Sequence, residues 1–240
     1  MNRKHFGDQR DLFKFDLVRH IMKSMPGLTG FTFIPLLTEN NGKQDRESGT
    51  KKDMGKAVKT GKAGSQNSNL LQHVSRVQEV NSDLEYVQSL HSYFKNENII
   101  MDTLHPHTFT HQEREQYFQN VFANFPKKSL VFLDPDIGIE ESKPDQRHLL
   151  FTEVKMIYDH LDTGSVLLIY QHFPRKVHED YTKKRCSQLS ELTGSSPLTI
   201  TDNEIIFFLL TKSPGMEDHL ELVLEKYANS YPALSSRICR

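Results

Sequence analysis

Apolar residues along this chain recur in two rhythms. In the first, Leu12, Phe13, Phe15, Leu17, Val18, Ile21 and Met22 fall at helical spacing, and the spacing predicts a helix from Asp8 to Met25. Asp8 can accept a hydrogen bond from the first turn, and Pro26-Gly27 closes the end. The same spacing predicts helices over Leu70–Val80, Asp83–Lys95, His111–Phe125, about Gln146–Leu161, Val177–Leu192 and Met216–Tyr227. The second rhythm is short unbroken apolar runs bounded by turn residues, the pattern of strands buried on both faces. These are 31–37, 98–104, the run ending at Leu133, 165–170, 198–201 and 204–210. Pro35 counts against a central position for the first strand, or marks its early end. Asp202-Asn203 suits a tight turn between the last two. Strands alternating with helices predict an α/β three-layer sandwich with a mostly parallel sheet and an antiparallel C-terminal strand pair.

The sharpest break in the pattern is Leu130-Val-Phe-Leu133 followed by Asp134-Pro135-Asp136. Pro135 removes a donor and holds Asp134 extended, so the strand stops there. In an open α/β sheet the ligand crevice lies beyond the carboxyl ends of the strands. Asp134 is therefore expected at its rim, with Asp136 a step further. The strand at 165–170 is joined to this one by a helix, which predicts that the two are neighbours. Gln171, His172 and Arg175, which follow it, become candidates for contact with a substrate in the same crevice.

The composition narrows the alternatives. Lys and Arg number 30 against 31 Asp and Glu, so a globally basic nucleic-acid binder is not indicated. There are two cysteines, Cys186 and Cys239, in no zinc-type spacing and with no disulfide framework to suggest; a reducing cytoplasm is the expectation. No apolar run approaches the ~20 residues that span a bilayer, so no membrane association is expected. His105, His107 and His111 lie close in sequence, but without a second cluster they do not make a metal site. The chain is expected to be a single α/β domain over 1–240, interrupted by a flexible basic insertion at 43–69. That stretch holds Lys43, Arg46, Lys51, Lys52, Lys56, Lys59 and Lys62 among Gly, Ser and Asn, too polar to build a core. It is read as a solvated loop or a phosphate-contacting arm. The Gly7-Asp8 entry makes the start of the first helix a candidate anion or ligand site.

Two short motifs carry a family resemblance. His5-Phe-Gly7-Asp-Gln-Arg-Asp11-Leu12-Phe-Lys14 has the form His-x-Gly-x-x-x-Asp-Leu-x-Lys, and Leu-Val-Phe-Leu-Asp134-Pro135 ends the central strand. Together they resemble the bacterial large-subunit ribosomal RNA adenine-N6 methyltransferases that carry an Asp-Pro-Pro-Tyr motif, within the Rossmann-like methyltransferase superfold. The resemblance implies a Rossmann-like sheet, S-adenosylmethionine as cofactor and a base in RNA or DNA as methyl acceptor. By resemblance Asp134 accepts from the target amino group and Lys14 lines the cofactor and target site; Asp136, where the sequence departs from the family motif, is a further catalytic candidate beside Asp134. His5, Gly7 and Asp11 line the cofactor and target site. Glu39 and Gly42 stand where the family has its acid and its glycine turn after the first strand. Asp102, near the end of the 98–104 strand, is a further candidate cofactor contact. Asp136 and Ile137 stand where the family has Pro and Tyr, so the aromatic that would stack on a flipped base, a contact of ~1–3 kcal/mol, is replaced.

The residues also permit other chemistry. Asp134, Asp136 and Glu140, with Asp8 or Asp11, would offer hard oxygen ligands to Mg²⁺ or Mn²⁺. With Lys14 and His172 adjacent, that set suits a metal-dependent nuclease or phosphoesterase. A methyltransferase-like shell that has lost catalysis and binds a nucleotide or a partner is the third expectation.

Overall fold

The computed structural model describes residues 5–37, 53–80, 82–103, 109–110, 112–123, 125–174 and 177–239. The elements, in chain order, are α1 (Gln9–Ser24), β1 (Gly30–Ile34), α2 (Met54–Lys59), α3 (Ser68–Val77), α4 (Asp83–Asn96), β2 (Met101–Thr103), α5 (Arg114–Ala123), β3 (Ser129–Leu133), β4 (Gly138–Ile139), β5 (His148–Leu149), α6 (Phe151–His160), β6 (Val166–His172), α7 (His178–Thr193), β7 (Leu198–Thr201), β8 (Ile205–Thr211), α8 (Pro214–Ala228) and β9 (Ser235–Ile238).

Seven strands form one sheet in the order β2-β1-β3-β6-β8-β7-β9. β2, β1, β3 and β6 run parallel, and β8 is antiparallel to both β6 and β7. The side-chain period of two divides the core between the faces. Phe31, Phe33, Leu130, Phe132 and Leu168 point to one side, where α1, α3, α4 and α8 cover them. Ile34, Val131, Leu133, Leu167 and Ile169 point to the other, beneath α5, α6 and α7. The result is a mixed α/β sandwich of three layers. No helix among the described residues is long and apolar enough to cross a membrane.

Several expectations need correcting. Of the two expectations for Pro35 the early end holds and the edge position does not: β1 stops at Ile34, so the proline never enters the ladder of a strand that lies between β2 and β3. The helix expected from about Gln146 begins at Phe151, since His148 and Leu149 pair instead with Gly138 and Ile139. β9, which the pattern did not reveal, adds to the sheet edge against β7.

The insertion also behaves differently from the expectation. Residues 43–52 lie outside the described residues. Of the rest, 54–59 form α2, capped by the Asp53 carboxylate accepting from the Lys56 N–H, and Ala57, Ala63 and Ser65 are buried. Gly64 permits this packing: its φ is +79°, and a Cβ there would meet the Leu12 carbonyl oxygen of α1 at 2.3 Å. Lys62 is paired with Glu204 and Asp202 rather than facing solvent alone. This half of the segment therefore belongs to the core side of α1.

The two cysteines are also not independent. Cys186 of α7 and Cys239 after β9 are joined in a disulfide, with Cα atoms 5.8 Å apart across 53 residues of sequence. Spacing could not suggest the pair, because it forms only where β9 folds back beside α7.

Candidate functional site

Along the chain, β1 is followed by β2 on one side of it and then by β3 on the other. Where strand order reverses in this way, the two following loops diverge and leave a crevice at the carboxyl ends of the strands. Here that point lies between β1 and β3. Asp134 stands at it, wholly buried, with its N–H still donating to the Ile34 carbonyl (3.1 Å) as the last rung of the ladder.

α1 brings the remaining groups. Its N-cap is Asp8, whose carboxylate accepts from the Arg10 N–H (2.8 Å). Asp11 and Lys14 are three apart and share one face, directed at the sheet rather than at solvent. The Lys14 ammonium donates to Asp134 Oδ2 at 3.0 Å, lies 3.5 Å from Asp11 Oδ1, and stands 4.2 Å from the centre of the Tyr170 ring. Asp11 Oδ2 accepts from the Gly7 N–H (2.9 Å) and from the Tyr86 hydroxyl of α4 (3.0 Å). Gly7 needs its positive φ of +71°, since a Cβ there would meet the Val74 carbonyl oxygen at 2.7 Å. The Gln78 amide donates to the Gly7 carbonyl (2.9 Å), tying the helix entry to the end of α3.

The electrostatics are unbalanced. Asp8, Asp11 and Asp134 are 2%, 1% and 0% exposed, and Lys14, 5% exposed, is the most buried cation beside them. Burial alone would pull the Lys14 ammonium down, but Asp134, Tyr170, Asp11 and Asp8 outweigh it and hold it above its ordinary value. On the acids burial acts in the other direction, so they too move up. Burial pushes Asp11 up to about 7; Lys14 opposes the shift, and Asp8 and Asp134 add to it. Burial likewise raises Asp134 despite Lys14. Lys14 feels several carboxylates, whereas Asp11 and Asp134 share that one lysine and are buried, so all three groups move up. Within the cluster Asp8 Oδ2, Asp11 Oδ1 and Asp134 Oδ1 accept no hydrogen bond from any described residue. Buried acceptors in that state lack their compensation.

The other expected residues divide. His5 lies at the rim, its Nδ1 3.9 Å from Asp8 Oδ2. His172 meets the Tyr170 hydroxyl through Nε2 at 2.9 Å, which links it to the ring beneath Lys14. Gln171 is committed elsewhere. Its Oε1 accepts from the Ile139 N–H (2.7 Å) and its Nε2 donates to the His172 carbonyl (2.6 Å), so it holds the loop that follows Asp136. Asp136 is half-buried, and its charge is felt at Asp134. Asp102 is exposed on the edge strand β2, and no described contact brings it to the cluster. Glu39, Gly42, Arg175, His105, His107 and His111 lie outside the described residues. The start of α1 is not an anion site: Gly7's N–H is taken by Asp11, and the surrounding carboxylates would repel a phosphate. Tyr86 and Tyr170 complete the cluster and were missed. In sequence each is one more aromatic in an apolar stretch.

A divalent cation fits poorly. No group of three or more His, Cys, Asp or Glu among the described residues could hold one. The Lys14 ammonium already occupies the space between Asp11 and Asp134.

Compared with known proteins, the chain matches no family model and no curated protein. Among solved structures, it is similar to a protein from Legionella pneumophila str. Philadelphia 1 described as DUF519, with 13% identity, a TM-score of 0.47, and 98% of this chain and 97% of that one covered. A likeness of that degree carries no residue role or activity across.

Proposed function

We propose that this chain has a Rossmann-like, methyltransferase-like sheet, binds S-adenosylmethionine in the crevice between β1 and β3, and directs its methyl group to an amino nitrogen of a nucleic-acid base. The observation that carries this reading is Asp134. It is buried at the strand-order reversal, with Oδ2 fixed by Lys14 and Oδ1 accepting nothing from the described residues. A carboxylate held in that way is a directed acceptor for an amino N–H, and it turns the nitrogen lone pair towards a fixed direction. The surplus of buried carboxylate over ammonium suits a cofactor that carries positive charge and N–H donors. S-adenosylmethionine, when bound, supplies an electrophilic methyl group on a sulfonium. Lys14 keeps Asp134 in place, and Asp11 with Tyr86 keeps Lys14 in place. The resemblance of His5, Gly7, Asp11, Lys14 and Asp134-Pro135 to the adenine-N6 methyltransferases supports the same assignment.

The test pairs binding with transfer. Calorimetry should give a Kd in the micromolar range, about −8 kcal/mol. Tritiated methyl should pass from the cofactor to RNA or DNA. Asp134→Asn should lower transfer by ~100-fold or more while leaving the circular dichroism spectrum unchanged. Binding without transfer to any nucleic acid would move the assignment to a binding shell. No binding at millimolar cofactor would end it.

A further inference from the structure

The Cys186–Cys239 disulfide forms part of the wall of an open groove between α7 and β9. The groove has a volume of about 430 Å³, within the ~300–1,000 Å³ of cavities that hold small ligands. The two cysteines are unequally exposed to it. Cys186 belongs to the core beneath α7 and is 5% exposed. Cys239 packs against that core from outside and is half-exposed. A thiolate arriving through the groove therefore meets the sulfur of Cys239 first, and thiol–disulfide exchange depends on which sulfur can be reached.

β9 does not rely on this bond for its place. It pairs with β7 from Thr201 with Ser235 to Leu198 with Ile238, and the Cys239 N–H donates to the Pro197 carbonyl (2.9 Å). The disulfide can thus open while the strand stays in the sheet. The charges at the groove are also unevenly engaged. Lys183 is paired with Glu179 at 2.8 Å, and Glu191 accepts from the Ser187 hydroxyl at 2.9 Å. Arg237 is exposed and lies two residues before Cys239, so both side chains project to the same face of the strand and line the same groove. A guanidinium beside the sulfur under attack suits an incoming thiolate, and it suits a carboxylate carried by the same molecule.

We propose that this disulfide is a reversible S-thiolation site, at which a low-molecular-weight thiol bearing a carboxylate enters the groove and exchanges onto Cys239, leaving Cys186 as the free thiol. The incoming thiolate forms a bond to Cys239 Sγ as the Cys186–Cys239 bond breaks. The electron pair of the broken bond leaves on Cys186 Sγ, which takes a proton from solvent. Attack by Cys186 on the mixed disulfide reverses the step and expels the small thiol, so no further oxidant or reductant enters. The site does not depend on the assignment of the crevice to S-adenosylmethionine.

The experiment treats the oxidised full chain with excess glutathione, quenches with acid and maps the adduct by mass spectrometry. The mixed disulfide should form on Cys239 at least ~10-fold over Cys186, with the circular dichroism spectrum unchanged. Removing the glutathione should restore the internal disulfide. Cysteamine, a cationic thiol, is run in parallel, and each rate is divided by that of the same thiol on hydroxyethyl disulfide. Glutathione should lead by about threefold or more at low salt, and the lead should vanish in about 1 M salt and in Arg237→Ala. Cys186→Ser treated with oxidised glutathione presents the same sulfur without the competing ring closure and should hold a stable adduct on Cys239. Exchange that follows global unfolding would mark both cysteines alike and ignore the charge of the thiol, and that result overturns the proposal. An adduct found mainly on Cys186, equal normalised rates for the two thiols, or a disulfide that survives millimolar thiol in the folded protein overturns it as well.

Discussion

The buried acid at position 11 should leave its mark on folding stability in the absence of any ligand. Asp11 is 1% exposed, and burial, augmented by Asp8 and Asp134, lifts its carboxyl from 3.8 to about 7. In the unfolded chain the same group titrates near its ordinary value. Between these limits the folded protein holds a proton that the unfolded chain has lost, so raising the pH favours unfolding. The contribution is complete below about pH 4 and is lost as pH rises through 7. Each unit of displacement is worth about 1.4 kcal/mol, so Asp11 should cost the fold about 3 kcal/mol between pH 5 and pH 8. Other groups titrate over the same range, and subtraction removes them. Asp11→Asn is close in shape to the neutral acid and can still accept from Gly7 and Tyr86, but it cannot ionise. Urea denaturation of both proteins from pH 5 to pH 8.5 should give curves that converge or cross. The variant should gain about 3 kcal/mol on the wild type towards high pH. A difference that stays constant to within about 0.5 kcal/mol would refute the reasoning, because it would mean that Asp11 ionises alike in both states.

The same cluster makes Lys14→Met strongly destabilising. It strands Asp134 and Asp11 without their ammonium, at a cost of about 3–5 kcal/mol that should be larger at pH 8 than at pH 5; equal urea midpoints for variant and wild type would contradict this. Cys239→Ser opens a loop closed across 53 residues, which in the chain-entropy account removes about 4 kcal/mol of stability under oxidising conditions. The wild type with reductant should fall to the level of the variant, and indifference of the wild type to reductant would sink the prediction. Gly64→Ala forces a left-handed backbone and a Cβ against the Leu12 carbonyl, so it should cost at least about 2 kcal/mol in thermal or chemical denaturation. A neutral effect there would mean that the 53–69 segment is not packed on α1.

Much of the architecture was legible because it depends on periods that a single segment carries. The helical spacing from Leu12 to Ile21, with Asp8 before it, specifies α1 and its cap almost to the residue. The apolar run up to Leu133 and the Asp-Pro that ends it specify both a strand buried on two faces and the acid at its carboxyl end. The helix between β3 and β6 predicts that they are neighbours, and they pair in parallel from Leu130 with Val166 to Leu133 with Ile169. That Lys14 bridges Asp11 and Asp134 was not legible in any local pattern, since 120 residues separate the lysine from the acid it holds.

What the tertiary structure decided is the partnership among groups distant in sequence. Tyr86 and Tyr170 join the acid cluster because α4 and β6 converge on the same face of α1, and no local rhythm encodes that convergence. Gln171 turned out to be bound to the Ile139 backbone, a matter of where the neighbouring loop runs. The lysine-rich stretch reads as disordered on composition. Yet Ala57, Ala63 and Gly64 are small enough for its second half to press against α1, and burial depends on fit as well as hydropathy. Cys186 meets Cys239 only after β9 has added to the sheet edge. Local periodicity fixes which residues face inward. Charge balance, the raised Asp11 and the oxygens that accept from no described residue arise only where separate elements enclose one small volume.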